Sequence, residues 1–523
     1  MNSAVSIHRN AAGRPRLRGA SVRAVFSSLL AGLLAGCAAG PDFKQPAPPD
    51  ASGYTTTPLP VQTAAAATGL GDAQRFDVGA DVGAQWWRGL NSRRLDAWIE
   101  QAFLASPTLA SAKATLRQAQ ETYSAQAGST LYPRVDAGVS AQRQRLNPNM
   151  LGQAGEAREF SLYNASIGVH YRLDLAGGNR RALEALAARA DFRRHELDGA
   201  RLTLAANIAT TAIARARLAG QIAATEAVIH AQDEQLQLTR ERVRLGHASP
   251  DDVLALQTQV EQTRAGLPLL RKQLEASEHL LAVLAGQAPG AAKVPDFALD
   301  EFRLPSDLPV VLPSELVRRR PDIQAAEALL HVANAEYGVA VAKLYPQLDL
   351  SANLGTQALT TGALFGGGSA VWSVLGQLTQ PLFDPGLPAE KRASLAALDA
   401  AAANYQGVVL DALRNVADAL RALDHDADAL ASFAAADAAA QASLESMRRQ
   451  YALGAASYVQ WLVAGQRAQQ GRIDLIGAQA QRLADSAALY QAMGGGYGAP
   501  AAANRQGVDR AQVAGIHGGG PSD

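Results

Sequence analysis

The sequence predicts a mainly α-helical chain with a small β part, built from two copies of one unit. Three observations predict it. Pro107, Ala119, Tyr123 and Leu131-Tyr132-Pro133 recur as Pro321, Ala333, Tyr337 and Leu344-Tyr345-Pro346, one residue having been removed from the second copy. In each copy the apolar period then changes from helical to two. Each copy ends in a very long helical tract, proline-free from Gly178 to Leu245 and again between Pro388 and Pro500. A unit of about 210 residues is too long for a solenoid, whose periods run roughly 20 to 50 residues. Apolar residues make up 48% of the chain but aromatics only 5%, so alanine and leucine dominate, as suits closely packed long helices.

Residues 1–36 read as an export leader and take no part in the fold. Arg9, Arg14, Arg16, Arg18 and Arg23 precede any acidic residue. Ala24 to Gly36 is then an apolar and small-residue stretch, too short to span a bilayer as a helix. It runs into Leu34-Ala35-Gly36-Cys37, which resembles a bacterial lipobox, and Cys37 is the only cysteine in the 523 residues. A lone thiol in an exported chain makes no internal disulfide; covalent diacylglycerol and an N-acyl chain on Cys37 would account for it, each buried CH₂ adding about 0.8 kcal/mol of anchoring, and the alternative is a chance cysteine after an ordinary signal peptide. Ala38 at the next position points to the outer membrane, because bacterial lipoproteins kept at the inner membrane typically carry Asp there.

Residues 37–85 mix Pro, Gly, Ala and Thr without periodicity and read as a lipidated, extended tether. The first structural repeat spans 86–290. A short helix from Trp86 reaches Phe103, and Ser106-Pro107 supplies a cap and a first helical position for a helix that ends before Tyr132-Pro133. A β-hairpin occupies 134–174: Val135, Ala137, Val139 and Ala141 share one face of its first strand, and Tyr163, Ala165, Ile167, Val169, Tyr171 and Leu173 one face of its second. A continuous helix from Gly178 to Leu245 would be about 100 Å long. It turns at Gly246-His247-Ala248-Ser249-Pro250 and returns to about Gly286, with a kink expected at Pro268. Residues 291–320 read as an inter-repeat linker. The second repeat, 321–493, carries a hairpin at 347–383, in which Leu348, Leu350, Ala352 and Leu354 alternate with polar residues, and turns at Gly454-Ala455-Ala456-Ser457. The Gly- and Ala-rich tail, 494–523, reads as disordered.

The four strands, each about 8 to 13 residues, match the roughly 9 to 11 that cross a bilayer when tilted. One chain cannot close four strands, since membrane barrels begin at about 8; a dimer gives 8 strands and a trimer 12, so insertion demands an oligomer. A soluble sheet with one polar face would alternate in the same way, but leader, lipobox, hairpins and long helices all agree on a periplasm-spanning object.

The duplicated Leu-Tyr-Pro motif, the strand exits Arg172-Leu173-Asp174 and Leu382-Phe383-Asp384, the tips Leu245-Gly246 and Leu453-Gly454, and Cys37-Ala38-Ala39-Gly40-Pro41-Asp42-Phe43 together resemble the TolC-like outer-membrane efflux factors, in particular the lipoprotein branch called NodT. The resemblance runs from Cys37 to about Met493. It implies a homotrimer whose 12-stranded β-barrel in the outer membrane continues into a periplasmic α-barrel of 12 helices. It also implies partners: a periplasmic adaptor and an inner-membrane efflux transporter, for which the channel is a passive exit duct. Leu245, Gly246, His247, Ala248, Ser249, Leu453, Gly454, Ala455, Ala456 and Ser457 become the expected adaptor contacts. In the family a tyrosine before the second tip and an aspartate after the first form a closing hydrogen bond; their matches are Tyr451 and Asp252. Two simpler roles stand beside that gate: Tyr451 packing between helices, and Asp252 capping the returning helix. The acidic positions that ring the pore in some members fall at Gln460 and Val463, and an arginine of some relatives falls at Ala456, so this mouth is expected to be less acidic.

No catalytic constellation and no metal site is predicted. The nine histidines lack ligand-like spacing, and Gly366-Gly367-Gly368 lacks the Lys-Ser/Thr and the helix of a phosphate loop. Lys+Arg and Asp+Glu are both 48, so bulk charge gives no reason to expect nucleic acid, and Arg318-Arg319-Arg320 reads as a helix junction or a solvated patch. The alternative to an efflux duct is a structural coiled-coil lipoprotein that spans the periplasm without a pore. A stand-alone porin fails on strand count and leaves the helices unexplained.

Overall fold

A computed structural model describes residues 39–51, 53–147, 152 and 154–496. The leader, Cys37 and the tail from 497 onward lie outside the described residues. In chain order the elements are β1 (Arg75–Val78), α1 (Arg93–Ala105), α2 (Pro107–Leu131), β2 (Arg134–Leu146), β3 (Arg158–Leu173), α3 (Gly178–Arg244), α4 (Pro250–Leu284), β4 (Asp307–Val310), α5 (Pro313–Arg319), α6 (Pro321–Ala342), β5 (Gln347–Ala358), β6 (Ala370–Thr379), α7 (Gly386–Ala452) and α8 (Tyr458–Ala492). The duplication is kept in detail. α3 and α7 each have 67 residues, α4 and α8 each have 35, and their starts are separated by the same 208 positions, Gly178 to Gly386 and Pro250 to Tyr458.

The chain divides into two compact units. One comprises the described residues up to Phe43 with Ser124–Ala185 and Ala333–Ala397. Its centre is a four-stranded antiparallel sheet in the order β2-β3-β5-β6. The register sets Ala137 opposite Ile167, Ile167 opposite Leu354 and Leu354 opposite Trp372. Residues directly opposite share a face, so the apolar alternation of each strand merges into one apolar face across all four. That face is open: Val139 is 83% exposed, Trp372 78% and Val374 75%. The strands are longer than the alternation alone suggested, β3 beginning at Arg158 rather than Tyr163, because ladder pairing continues beyond the apolar run of the one face, as far as Arg158 opposite Leu146.

The other unit comprises Lys44–Tyr123, Leu186–Val332 and the chain from Leu398. Trp86 stacks on Tyr490 at 5.4 Å, Trp87 meets Phe103 edge-on at 5.5 Å, and Leu90, Leu95, Ile99, Phe297, Leu308 and Leu483 are wholly buried around them. The Trp86 segment is a 3₁₀ turn ending at Leu90, and α1 starts only at Arg93, capped by the Ser92 side chain, which accepts from the Leu95 N–H at 3.2 Å. α4 runs unbroken through Pro268.

The tether and linker segments hold structure that periodicity did not reveal. β1 pairs in parallel with β4, Phe76 opposite Leu308, though each has only four residues. Arg482 on α8 lies wholly buried against the same region. It donates to the Gln74 side-chain oxygen at 2.8 Å, the Thr63 hydroxyl at 3.2 Å and the Asp72 carbonyl at 3.3 Å. Gln74 in turn donates to the Ser486 hydroxyl at 3.0 Å and the Pro305 carbonyl at 3.1 Å. Arg320 forks onto Asp322 and donates to the Ala492 carbonyl at 2.9 Å, so the arginine run is a helix junction. Gly494–Gly496 close the described chain in left-handed turns beside Trp86.

Next to Arg482, burial and the facing Asp426 carboxyl push the Asp485 carboxyl up to about 7. One Asp485 oxygen accepts from Gln481 at 2.7 Å, while Oδ2 has no donor. A carboxyl whose native pKa exceeds its unfolded value, about 3.9, contributes stability that is complete below the unfolded value and lost as pH rises through the native one. Asp485→Asn, which stays neutral, is expected to melt above wild type at pH 8, with the gap narrowing as pH falls toward 4; calorimetry in detergent checks this, and a pH-independent gap would contradict it.

Candidate functional site

Both helical hairpins turn by the same chemistry. Gly246 and Gly454 sit at φ +77° and +75°, a region costly for any side chain. The His247 N–H reaches back to the Arg242 carbonyl at 2.7 Å and the Gly246 N–H to Val243 at 3.0 Å; Ala455 to Gln450 and Gly454 to Tyr451 repeat the pattern at 2.8 and 3.0 Å. These are Schellman closures, which satisfy the last carbonyls of α3 and α7. The returning helices open with capping boxes. The Ser249 N–H donates to Asp252 Oδ2 at 3.1 Å, and the Ser457 N–H donates to Gln460 Oε1 at 2.7 Å. Leu245 and Leu453 remain uncovered, 55% and 84% exposed, beside the exposed Gly246, His247, Ser249, Gly454, Ala455 and Ser457 and the half-buried Ala248 and Ala456.

Asp252 and Tyr451 are each bonded elsewhere. Asp252 caps α4. The Tyr451 hydroxyl accepts from Arg242 Nη1 at 2.8 Å, and the same guanidinium lies over the Tyr451 ring at 5.1 Å, a cation–π geometry. The ring stacks on Trp461 at 5.0 Å and tilts against Tyr458 at 5.6 Å. Tyr458 is buried with Leu236, Leu256 and Val260, and burial pushes its hydroxyl up to about 12. The tyrosine therefore joins the hairpins through Arg242 on α3 and an aromatic group on α8. Arg242 and Trp461 were not singled out from sequence. The available signal was three aromatics, Tyr451, Tyr458 and Trp461, within eleven positions of a chain that is only 5% aromatic.

Arg242, Tyr451 and Trp461 also line a cavity of about 1870 Å³, walled by small residues such as Ala223 and Ala227 and by Gln441, Glu445 and Arg472. In the other unit, the sheet face opposite the apolar one carries Asn164, Ser166, His170 and Asn353, with Arg172 paired to Asp349 at 2.7 Å. Among the described residues no cluster of His, Cys, Asp or Glu can hold a metal, and no helix is long and apolar enough to cross a membrane.

Comparison with known proteins agrees with this geometry. The family model "Outer membrane efflux protein" matches residues 98–287 and 312–495, one match to each repeat. The toluene efflux pump outer membrane protein TtgC of Pseudomonas putida is 31% identical over 472 residues, covering 89% of this chain and 94% of TtgC. Outer membrane protein OprJ of Pseudomonas aeruginosa is 28% identical, covering 90% and 96%. Among solved structures, the outer-membrane channel OprN superposes with a TM-score of 0.80 at 26% identity, covering 88% of this chain and all of OprN.

The paired capping boxes predict a paired effect. Ser249→Ala and Ser457→Ala are each expected to cost about 1 kcal/mol, read as roughly five- to tenfold faster amide exchange in the first turn of α4 or α8 alone; unchanged exchange would mean that the tips are held by packing instead.

Proposed function

This chain belongs to the outer membrane efflux protein family, and from that premise we propose that three copies close their four-stranded sheets into a 12-stranded β-barrel in the outer membrane, joined to a periplasmic α-barrel of 12 helices. The chain is a non-enzymatic outer-membrane channel of a tripartite efflux pump. One observation carries closure by several copies, a sheet with a continuous exposed apolar face on which β2 and β6 stand as edges; the number three comes from the family resemblance. Such edges must be paired for the sheet to lie in hydrocarbon, and the edges of neighbouring copies, β2 with 13 residues and β6 with 10, are the available partners. The polar face, with its Arg172–Asp349 pair, then lines the water-filled interior.

Acyl chains on Cys37 add a second hold on the outer membrane. Drugs or other small molecules pass down the duct without being bound tightly, and the energy comes from an inner-membrane transporter coupled through a periplasmic adaptor. The uncovered Leu245 and Leu453 at the glycine tips offer that adaptor an apolar contact.

The same tips form the gate. Tyr451 and Asp252 lie in adjoining turns, and closing brings the hydroxyl of one to the carboxylate of the other in place of the Arg242 bond. A charge-assisted bond contributes about 1.5 to 3 kcal/mol, so a few per trimer bias the mouth toward closure, and an adaptor preferring the open state reverses the bias. Single-channel conductance of the purified protein tests this: low in wild type and raised in both Tyr451→Phe and Asp252→Ala. High conductance in all three would keep the channel and discard the gate, and none in any of them would remove the duct.

A further inference from the structure

The residues that follow Cys37 are gripped rather than loose. Arg181, in the first turn of α3, is only 4% exposed. Its Nε donates to the Ala39 carbonyl at 3.2 Å, and its Nη2 donates to the Gly40 carbonyl at 3.3 Å and the Asp42 carboxylate at 2.6 Å. Nη1 is held by Glu184 at 2.7 Å, which fixes the fork. The Ala39 N–H donates to the Ala176 carbonyl at 2.8 Å, and the buried Asn334 side chain donates to the Pro41 carbonyl at 3.1 Å. Four consecutive residues are thus read largely through their backbone.

The bed fits closely. Gly40 has φ +81°, and a Cβ there would lie 2.7 Å from the Cα of Gly338. A Cβ on Gly338 would in turn meet Arg181 Cγ at 2.9 Å and the Ala39 oxygen at 3.1 Å. Chain ends fray unless tied down, and a buried guanidinium with imperfect partners is costly. A segment serving only as a tether needs neither.

We propose that Arg181, Asn334 and Gly338 form a receptor for the anchor peptide, and that Arg181 is a positioning residue holding the lipidated Cys37 beside the point where β3 ends. This rests on the reading above that Cys37 is acylated and the sheet inserted. Cys37 is two residues from Ala39, a reach of about 7 Å, and Ala176 lies three residues past Leu173, about 10 Å. The acyl chains therefore enter the membrane at the boundary that β3 leaves. A free tether of the length of residues 37–85 would let them wander over roughly 40 Å.

Tryptic release of the lipopeptide ending at the exposed Lys44 measures the grip, with palmitate incorporation measured in the same cells. Two variants are compared with wild type as purified trimers. Arg181→Gln removes the fork. Gly40→Ala alters only the peptide, so the bed stays intact even if loss of the buried arginine were to impair folding. Release at least tenfold faster in both, with palmitate retained and the melting temperature of Gly40→Ala unchanged, is the expected result. Equal release rates in wild type and Gly40→Ala, with palmitate present, would overturn the receptor. Wild-type protein that takes up no palmitate would overturn the lipid reading, and with it the positioning role, whatever the release rates.

Discussion

Backbone N–H and C=O groups along an outermost strand need partners, and within hydrocarbon water is not there to supply them. The whole architecture answers to that constraint. Each chain contributes four strands in the order β2-β3-β5-β6, too few to close, so the proposed joining of copies is what would cover the two edges. Duplication supplies the strands economically: one helix–hairpin–helix unit used twice gives two hairpins whose inner strands, β3 and β5, pair antiparallel along eleven positions from Tyr163–Ala358 to Leu173–Leu348.

Repetition also explains the tips. Because α3 and α7 have the same length, each ends in a glycine at positive φ followed by a serine cap. The two boxes differ in one respect: the third helical position is Asp252 in one and Gln460 in the other. A carboxylate and an amide oxygen both serve as acceptors for the cap N–H, so folding of the tip leaves its charge free to vary. Between the hairpins, the Arg242–Tyr451 contact and the Trp461 stack couple α3, α7 and α8 without a large core, as a chain walled mostly by alanine requires.

Where the helices leave off, buried arginines take over. Arg482 binds the residues around Gln74, Arg320 the junction before α6, and Arg215, donating to Glu278 and the Phe297 carbonyl, the loop after α4. Each replaces apolar packing that short irregular segments cannot supply with several hydrogen bonds from one planar group. The cost of burying a charge makes such junctions intolerant of truncation.

Periodicity determined the helices, the four strands and their apolar faces, because a period of two or of 3.6 is imposed by backbone geometry within one element. The glycine tips were legible for the same local reason, and with them Asp252 as a helix cap. Tertiary structure alone decided the rest. β1 and β4 are four residues each and 232 positions apart, too short for a period and visible only as a pair. For Tyr451 the sequence left two roles open, a bond to Asp252 or packing between helices, and could not foresee that its hydroxyl accepts from Arg242 on a helix 209 positions away in sequence. The peptide after Cys37 read as loose because its composition is that of a tether, and what holds it is a guanidinium 139 residues further on. Contacts of that kind follow from which elements the fold brings together, and no local pattern encodes them.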